Sequence, residues 1–352
     1  MSQQLNTTPK QAGFFMPAEW HTHSATWLSW PNNATTWTKD MSIVEATFLE
    51  IMQYIAESEQ VNLLVDSSTE QERIMSLMKH TDINLLNINF VLEKTHDIWI
   101  RDYGPNYLIR SDKGKAALAY NGWIFDAWGN KYDDLKKDGE LLSRLEAQLP
   151  MHKFSPGIIL EGGSIDVNGA GDCLTTRQCL LNKNRNAHLN QAEIEMYLKD
   201  YLGLERIHWL NEGITGDDTD GHIDDIARFV NKDTIVIAQP NIVDKSNQRI
   251  LLENKELLES AKGANGKCFE VIALPAPRSM QFEGCDLPAS YANFYICNSS
   301  VLVPTFNDPN DKIALSILDD IFVNRKVVGI DCSVMLRGLG TIHCASQQVP
   351  IV

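Results

Sequence analysis

The chain has 352 residues, of which 43% are hydrophobic and 22% charged, the balance of a globular protein able to bury a sizeable core. Its 46 acidic against 31 basic residues give a formal net charge of -15. That argues against nucleic acid or an anionic membrane as partner, both of which demand a basic face, and suits a cationic ligand as well as simple solubility.

No apolar run approaches the ~20 residues of a spanning helix, and no basic cluster followed by an apolar stretch opens the chain, so a cytoplasmic location is expected. Seven cysteines, an odd number without paired CxxC spacing, predict reduced and mostly buried thiols rather than a zinc site or a redox pair.

In chain order, Ile43, Phe48, Ile51, Met52 and Ile55 recur at helical spacing and predict a surface helix over 41–57. The runs VNLLVD (61–66) and INFVL (88–92) predict strands. Asn190 is placed to cap a helix with Glu193 at its third position; Ile194, Tyr197 and Leu198 form the stripe and Gly203 the end. TIVIA (234–238) and VLVPTF (301–306) predict further strands. Asp308-Pro309 opens a last helix, with Pro in the tolerated first position, through Ala314, Ile317 and Leu318. The class is mixed α/β.

A strand, a short turn and a second strand recur around DIWIRDYGPNYLI, ILEGGSIDVNG, GHIDDIARFVNKDTIVIA, ASYANFYICNSSVLV and GLGTIHCASQQV. The polar residues Asp102, Glu161, His222 and Cys344 within them are separated by 59, 61 and 122 residues, the last interval being twice the second. Such a period predicts a radial or stacked architecture in which each unit sends an equivalent element to one centre. No low-complexity linker divides the chain, so one domain over 1–352 is expected.

Each candidate site is ambiguous alone. Gly216 to Asp225 is rich in aspartate, but an EF-hand calcium loop with its glycine at Gly221 would start at Gly216 and end at Ala227, where it needs Asp and Glu. On a strand, His222 and Asp224 would share a face, a proton carrier beside an anion; a metal ligand or a surface pair explains them equally. Trp99 to Pro105 places an indole and Asp102 in a predicted strand, or an Arg101-Asp102 surface pair. Glu161-Gly162-Gly163 allows close backbone approach beside a carboxylate. Gly338 to Cys344 brings glycines to a thiol that is either reactive or a structural filler.

Taken together, Phe15 to Trp20, Trp99 to Pro105, Glu161 to Asp166, Gly216 to Asp224, Ala289 to Phe294 and Ile342-His343-Cys344 resemble the agmatine deiminases, in order across nearly the whole chain. The resemblance implies a pentein fold, a five-bladed α/β propeller of ββαβ modules with pseudo-five-fold symmetry. It implies Cys344 as nucleophile, His222 as general acid and base titrating near neutrality, Glu161 orienting His222, and Asp102 with Asp224 clamping the guanidinium. It further places Trp99 and Asp218 at the far wall of the pocket.

The implied partner is a small cationic guanidino substrate, agmatine, with no metal or organic cofactor, no nucleic acid and no membrane, in a homodimer or higher homo-oligomer. His21-Thr22-His23 and the Leu339 and Thr341 positions depart from the family pattern and bear on the shape of the pocket. An arginine or peptidyl-arginine deiminase on the same scaffold, and a non-catalytic polyamine binder, are the alternatives.

Overall fold

The computed structural model describes residues 7–111, 116–241 and 247–352. Strand β1 (His23–Ser29) runs parallel to β2 (Gln60–Val65), which pairs in turn with β3 (Ile88–Leu92). A parallel pair cannot be joined by a tight turn, and the crossover from β1 to β2 carries the helix Met41–Ile55.

The next segments repeat a single connectivity. β4 (Asn106–Arg110) and β5 (Ala117–Asn121) are antiparallel, and β6 (His152–Phe154) adds parallel to β5. β7 (Asp166–Val167), β8 (Asp172–Thr176) and β9 (Arg206–Leu210) do the same across the helix Gln191–Leu202. So do β10 (Ala227–Phe229), β11 (Thr234–Gln239) and β12 (Glu270–Pro275) across the helix Gln248–Ser260. The hairpin of β13 (Met280–Phe282) and β14 (Cys285–Leu287) then interrupts the series. β15 (Tyr295–Ile296), β16 (Ser300–Thr305) and β17 (Lys326–Asp331) resume it across the helix Asp311–Ile321. Finally β18 (Ser346–Pro350) pairs antiparallel with β1, so the first unit borrows its opening strand from the far end of the chain. Five sheets therefore share one order, an antiparallel pair followed by a parallel strand, and among the described residues none closes on itself.

Helix packing follows the predicted stripes with local shifts. In Met41–Ile55 the buried face is Val44, Thr47, Phe48, Ile51, Met52 and Ile55, against β2, β16 and β17. Ile43 lies outside that face at 48% exposure, because Val44 fills the inward position beside it. The helix Gln191–Leu202 has the expected cap: Asn190 accepts from Glu193 N–H at 3.1 Å, and the Glu193 carboxylate accepts from Asn190 N–H at 2.7 Å. Gly203 ends it at φ 70, in the left-handed region. The helix expected from Pro309 starts later, at Asp311. Asp308 Oδ1 accepts from Asn310 N–H and Asp311 Oδ2 from Asp308 N–H, which folds Asp308-Pro309-Asn310 into a turn instead.

Two expected strands are absent. Trp99 to Asp102 enters a single helical turn, Ile100–Tyr103, and His222 precedes a 3-10 turn, Ile223–Asp225. Each turn stands just before the opening strand of a unit, β4 or β10. Alternation over three residues cannot separate a strand from a tight turn. Among the described residues no helix is long and apolar enough to cross a membrane.

The helix ends give a test of this reading. Asn190→Ala is expected to lower stability by about 1 kcal/mol, whereas Asn190→Ser keeps the cap. Gly203→Ala is expected to cost more, since its Cβ would stand 2.6 Å from Phe15 Cβ and 2.8 Å from the Phe14 carbonyl. Urea unfolding measures all three; equal midpoints for the Ala and Ser variants at position 190 would remove the capping box from the account.

Candidate active site

The turns that precede the opening strands point to one place. The Ile100–Tyr103 turn brings Asp102, the Gly162–Ser164 turn follows Glu161, and the Ile223–Asp225 turn carries His222, Asp224 and Asp225. Asn293 stands two residues before β15, and Cys344 two residues before β18. The 122-residue interval from His222 to Cys344 is thus split unequally by Asn293, into 71 and 51 residues. The β13–β14 hairpin accounts for the longer half.

Arg101 holds two of these turns together. It is 4% exposed, so it is no surface partner of Asp102. Its guanidinium donates to the His343 carbonyl at 3.2 Å and to Gln348 Oε1 at 2.8 Å, and its backbone N–H donates to the Cys344 carbonyl at 3.2 Å.

Asn293 fixes the thiol. Its Oδ1 accepts from Thr341 Oγ1 at 2.7 Å and from His343 N–H at 3.1 Å, while its Nδ2 donates to Asp225 Oδ1 at 2.9 Å and to Cys344 Sγ at 3.0 Å. The Cys344 S–H is directed at Asp224 Oδ2, 3.6 Å away. Burial pushes this thiol well above its ordinary range, and the charges of Asp224, Asp225 and Asp102 push it further.

Asp102 accepts from Gly163 N–H on Oδ1 and from Trp128 Nε1 on Oδ2, both at 2.9 Å. Burial, then the charge of Asp224, raises it well above the usual carboxylate range. Asp224 goes the other way: burial works to raise it, but the His343 hydrogen bond at 2.7 Å and the cations around it leave it below its ordinary value. Its Oδ1 is buried without a protein partner.

His222 is 1% exposed, and its Nδ1 lies 3.8 Å from Asp102 Oδ1. Burial lowers its proton affinity to about 3, so the imidazole is neutral in the free protein rather than titrating near neutrality. Nor is Glu161 hydrogen-bonded to it. Arg185 Nε takes Glu161 Oε1 at 2.6 Å, leaving Oε2 4.0 Å from His222 Nε2. The orienting contact on His222 that is present comes from Asp217, whose Oδ2 accepts the His222 backbone N–H at 2.9 Å.

Gly163 makes the convergence physically necessary. A Cβ there would lie 2.6 Å from His222 Nδ1 and 3.0 Å from both Asp102 Oδ1 and Asp224 Oδ2, so three site groups surround one bare α-carbon.

A cavity of about 420 Å³ opens onto this centre. Trp99, Asp102, Asp218 and Cys344 line it, whereas His222, Glu161 and Asp224 are not among its lining residues. Asp97, Asp134 and Glu283 add carboxyl groups to the lining. Asp218 is already engaged by the Tyr132 hydroxyl, with Lys131 Nζ at 3.6 Å from its Oδ1. Arg337 is the cation of the lining, and it is paired with Asp40 and stacked over Phe282.

Two trios of donor atoms lie within 4.8 Å of one another: Glu161, Cys179 and His222, and Asp224, Asp225 and Cys344. Their carboxylates already have protein partners in Arg185, His343 and Asn293. The site residues that sequence reasoning did not single out are Asn293, Glu19, His343, Trp128 and Arg185. Asn293, Glu19 and His343 stood inside recognised motifs but carried no separate signal, while Trp128 and Arg185 lay outside them.

The geometry agrees with the comparisons. Agmatine deiminase of Medicago truncatula is 35% identical over 379 aligned residues, covering 99% of each chain. The structure of agmatine deiminase of Enterococcus faecalis superposes with a TM-score of 0.90 at 28% identity, covering 99% of each chain. A cysteine-to-serine variant of Campylobacter jejuni agmatine deiminase with substrate bound superposes at 0.84 and 33% identity, covering 96% of each. The model of the Porphyromonas-type peptidyl-arginine deiminases matches residues 15–350, and the chain belongs to that family.

Proposed function

We propose that this chain is an agmatine deiminase, a hydrolase of the amidine C–N bond that converts agmatine and water to N-carbamoylputrescine and ammonia. The observation that carries the reading is a buried thiol, Cys344, 3.6 Å from Asp224 Oδ2 and sharing with Asp102 the lining of an acidic cavity. The relatives named agmatine deiminase support the same substrate.

A guanidinium is planar and permanently charged, and its resonance resists attack. Asp102 and Asp224 hold it, each accepting N–H donors and keeping the group protonated and its carbon electrophilic. The incoming cation also offsets the carboxylates that keep the Cys344 thiol protonated. The thiol proton passes to the neutral His222 imidazole as sulfur bonds to the guanidinium carbon, and His222 returns it to the departing ammonia. That leaves an amidino-thioether on Cys344. His222 then takes a proton from water as the hydroxide adds to the same carbon; the C–S bond breaks, the hydroxyl proton passing to sulfur, to release the ureido product and the thiol, and the proton left on His222 departs with the ammonia as ammonium. Arg185, by holding Glu161, fixes the floor beneath the imidazole.

The acidic lining favours a terminal ammonium over the carboxylate that arginine would bring. We read residues 1–352 as one pentein domain, five modules around one site with pseudo-five-fold symmetry. The shared strand order and the five converging turns support this. We place the protein in the cytoplasm, where reduced thiols fit its free cysteines, on a route to putrescine and polyamines. A homodimer or higher homo-oligomer follows the habit of the family.

Cys344→Ser is expected to lower ureido-product formation from agmatine by at least ~10³-fold, with no thioether trapped by mass spectrometry. Turnover of arginine or peptidyl-arginine above that of agmatine would overturn the substrate assignment. Gly163→Ala is expected to lower turnover by ~10²-fold while the protein stays folded, because the new methyl displaces His222 and both aspartates.

Burial and the charge of Asp224 raise Asp102, and a bound guanidinium favours its carboxylate. Agmatine binding to Cys344→Ser is therefore expected to release protons, with affinity that rises with pH. Calorimetry in two buffers of different ionisation enthalpy reads this directly; net proton uptake on binding would contradict the arrangement.

A further inference from the structure

The residue before the nucleophile occupies a place the reaction scheme above does not use. His343 is 2% exposed and both of its ring nitrogens meet carboxylates: Nδ1 lies 2.7 Å from Asp224 Oδ2, and Nε2 lies 2.8 Å from Glu19 Oε2. A neutral imidazole has one N–H and one lone pair, and an ionised carboxylate only accepts. A lone pair aimed at either carboxylate oxygen at this distance would be repelled.

Glu19 is itself held as an anion. Arg228 Nη2 stands 2.9 Å from its Oε1 and Arg101 Nη2 3.4 Å from its Oε2, and Ile296 N–H donates to Oε1 at 2.9 Å. Burial would raise Glu19, but these two guanidiniums and His343 hold it well below the usual carboxylate range. Behind them Arg228 is tied to Asp166 through Nε. The buried row thus sets Asp166, Glu19 and Asp224 against Arg228, Arg101 and His343, and its charges balance when His343 carries a proton on each nitrogen.

We propose that His343 is a positioning residue that serves as a fixed, doubly donating imidazolium, neutralising Asp224 from behind and anchoring its Oδ2 so that Oδ1 remains for the substrate guanidinium. His343 does not touch the reacting atoms in this role. It sets the charge and the orientation of a group that does. The chain reaction to its loss runs through Asp224: without the imidazolium, two buried carboxylates, Asp224 and Asp102, compete for one proton beside the thiol. The role in catalysis rests on the deiminase reading given above, whereas the protonation of His343 does not.

The test separates the two. In ¹⁵N-labelled wild-type protein without substrate, His343 is expected to give two N–H correlations, both shifted downfield by carboxylate acceptors and both slow to exchange across neutral pH. His343→Asn and His343→Gln each remove the pair and so assign it, and contacts to the Cys344 amide assign it should either variant fail to fold. A single N–H on His343 overturns the proposal whatever the substrate proves to be. In steady-state kinetics on folded variants, His343→Asn is expected to raise KM for agmatine at least tenfold and to lower kcat less, with His343→Gln intermediate. Unchanged KM in both folded variants would equally overturn the positioning role. A wild-type enzyme inert towards agmatine would sink the functional reading while leaving the spectroscopic result to stand on its own.

Discussion

Burying Asp102, Asp224 and Asp225 beside Cys344, with Glu161 buried close to His222, sets like charges in a medium where each raises the others' hold on protons. The protein relieves this unevenly. Arg185 pairs with Glu161 and His343 is hydrogen-bonded to Asp224, while Asp102 and Asp225 are pushed well above the usual carboxylate range. Arg185, Arg101 and Arg228 are engaged by Glu161, Glu19 and Asp166, which leaves Asp102 and Asp225 without an arginine or lysine partner among the described residues. A guanidinium supplies such a partner in a planar form with N–H donors in its plane. The same shortage keeps the thiol protonated and therefore unreactive until a cation arrives, which protects a nucleophile open to a cavity from unwanted oxidation.

Such a site needs backbone placed closely and from several directions, and the repeated sheets provide it. A helical or 3-10 turn ahead of an opening strand offers free N–H groups at the centre; Gly163 N–H on Asp102 is one. Where two turns meet, a buried side chain joins them. Arg101 fastens the Asp102 turn to the Cys344 turn, and Asn293 fastens the Cys344 turn to Asp225. The pairing of β18 with β1 is part of the same arrangement, since it fixes the strand that begins two residues after the nucleophile.

Much of this was legible in the sequence because the chemistry-bearing residues are polar groups in apolar surroundings. Asp102, Glu161, His222 and Cys344 stood out for that reason, although the doubled 61-residue interval between the last two is split unequally by Asn293. The strands at 61–66, 88–92, 234–238 and 301–306 and the capped helix after Asn190 were equally readable, each carrying a local pattern. What was hidden depended on long-range contact. His343 and Glu19 are 324 residues apart, and nothing local marks either as the other's partner. Arg101 read as a surface partner of Asp102, yet its guanidinium reaches across to the last strand. The short turns at 100–103 and 223–225 escaped because period-2 alternation over three residues describes a tight turn as well as a strand. The β13–β14 insertion broke the regular spacing and concealed Asn293.

The unequal treatment of Asp102 and Asp224 also gives the site a direction. Asp102 is held by neutral donors, an indole and a backbone amide, whereas Asp224 is held through the imidazole of His343, itself buttressed by Glu19. Asp102 is raised and Asp224 lowered, so the two carboxyl groups differ before any substrate enters. In the proposed reaction Asp224 is the standing counter-charge for the guanidinium, and Asp102, raised by burial, is the carboxyl whose anion the incoming cation favours. Its nearest ring nitrogen is His222 Nδ1, at 3.8 Å, on an imidazole that burial keeps neutral and therefore able to accept. In the proposed reaction, entry of the cation lowers the hold of both Asp102 and Cys344 on their protons; that of Asp102 leaves for solvent and that of Cys344 passes to His222, which couples recognition of the charged head group to activation of the sulfur.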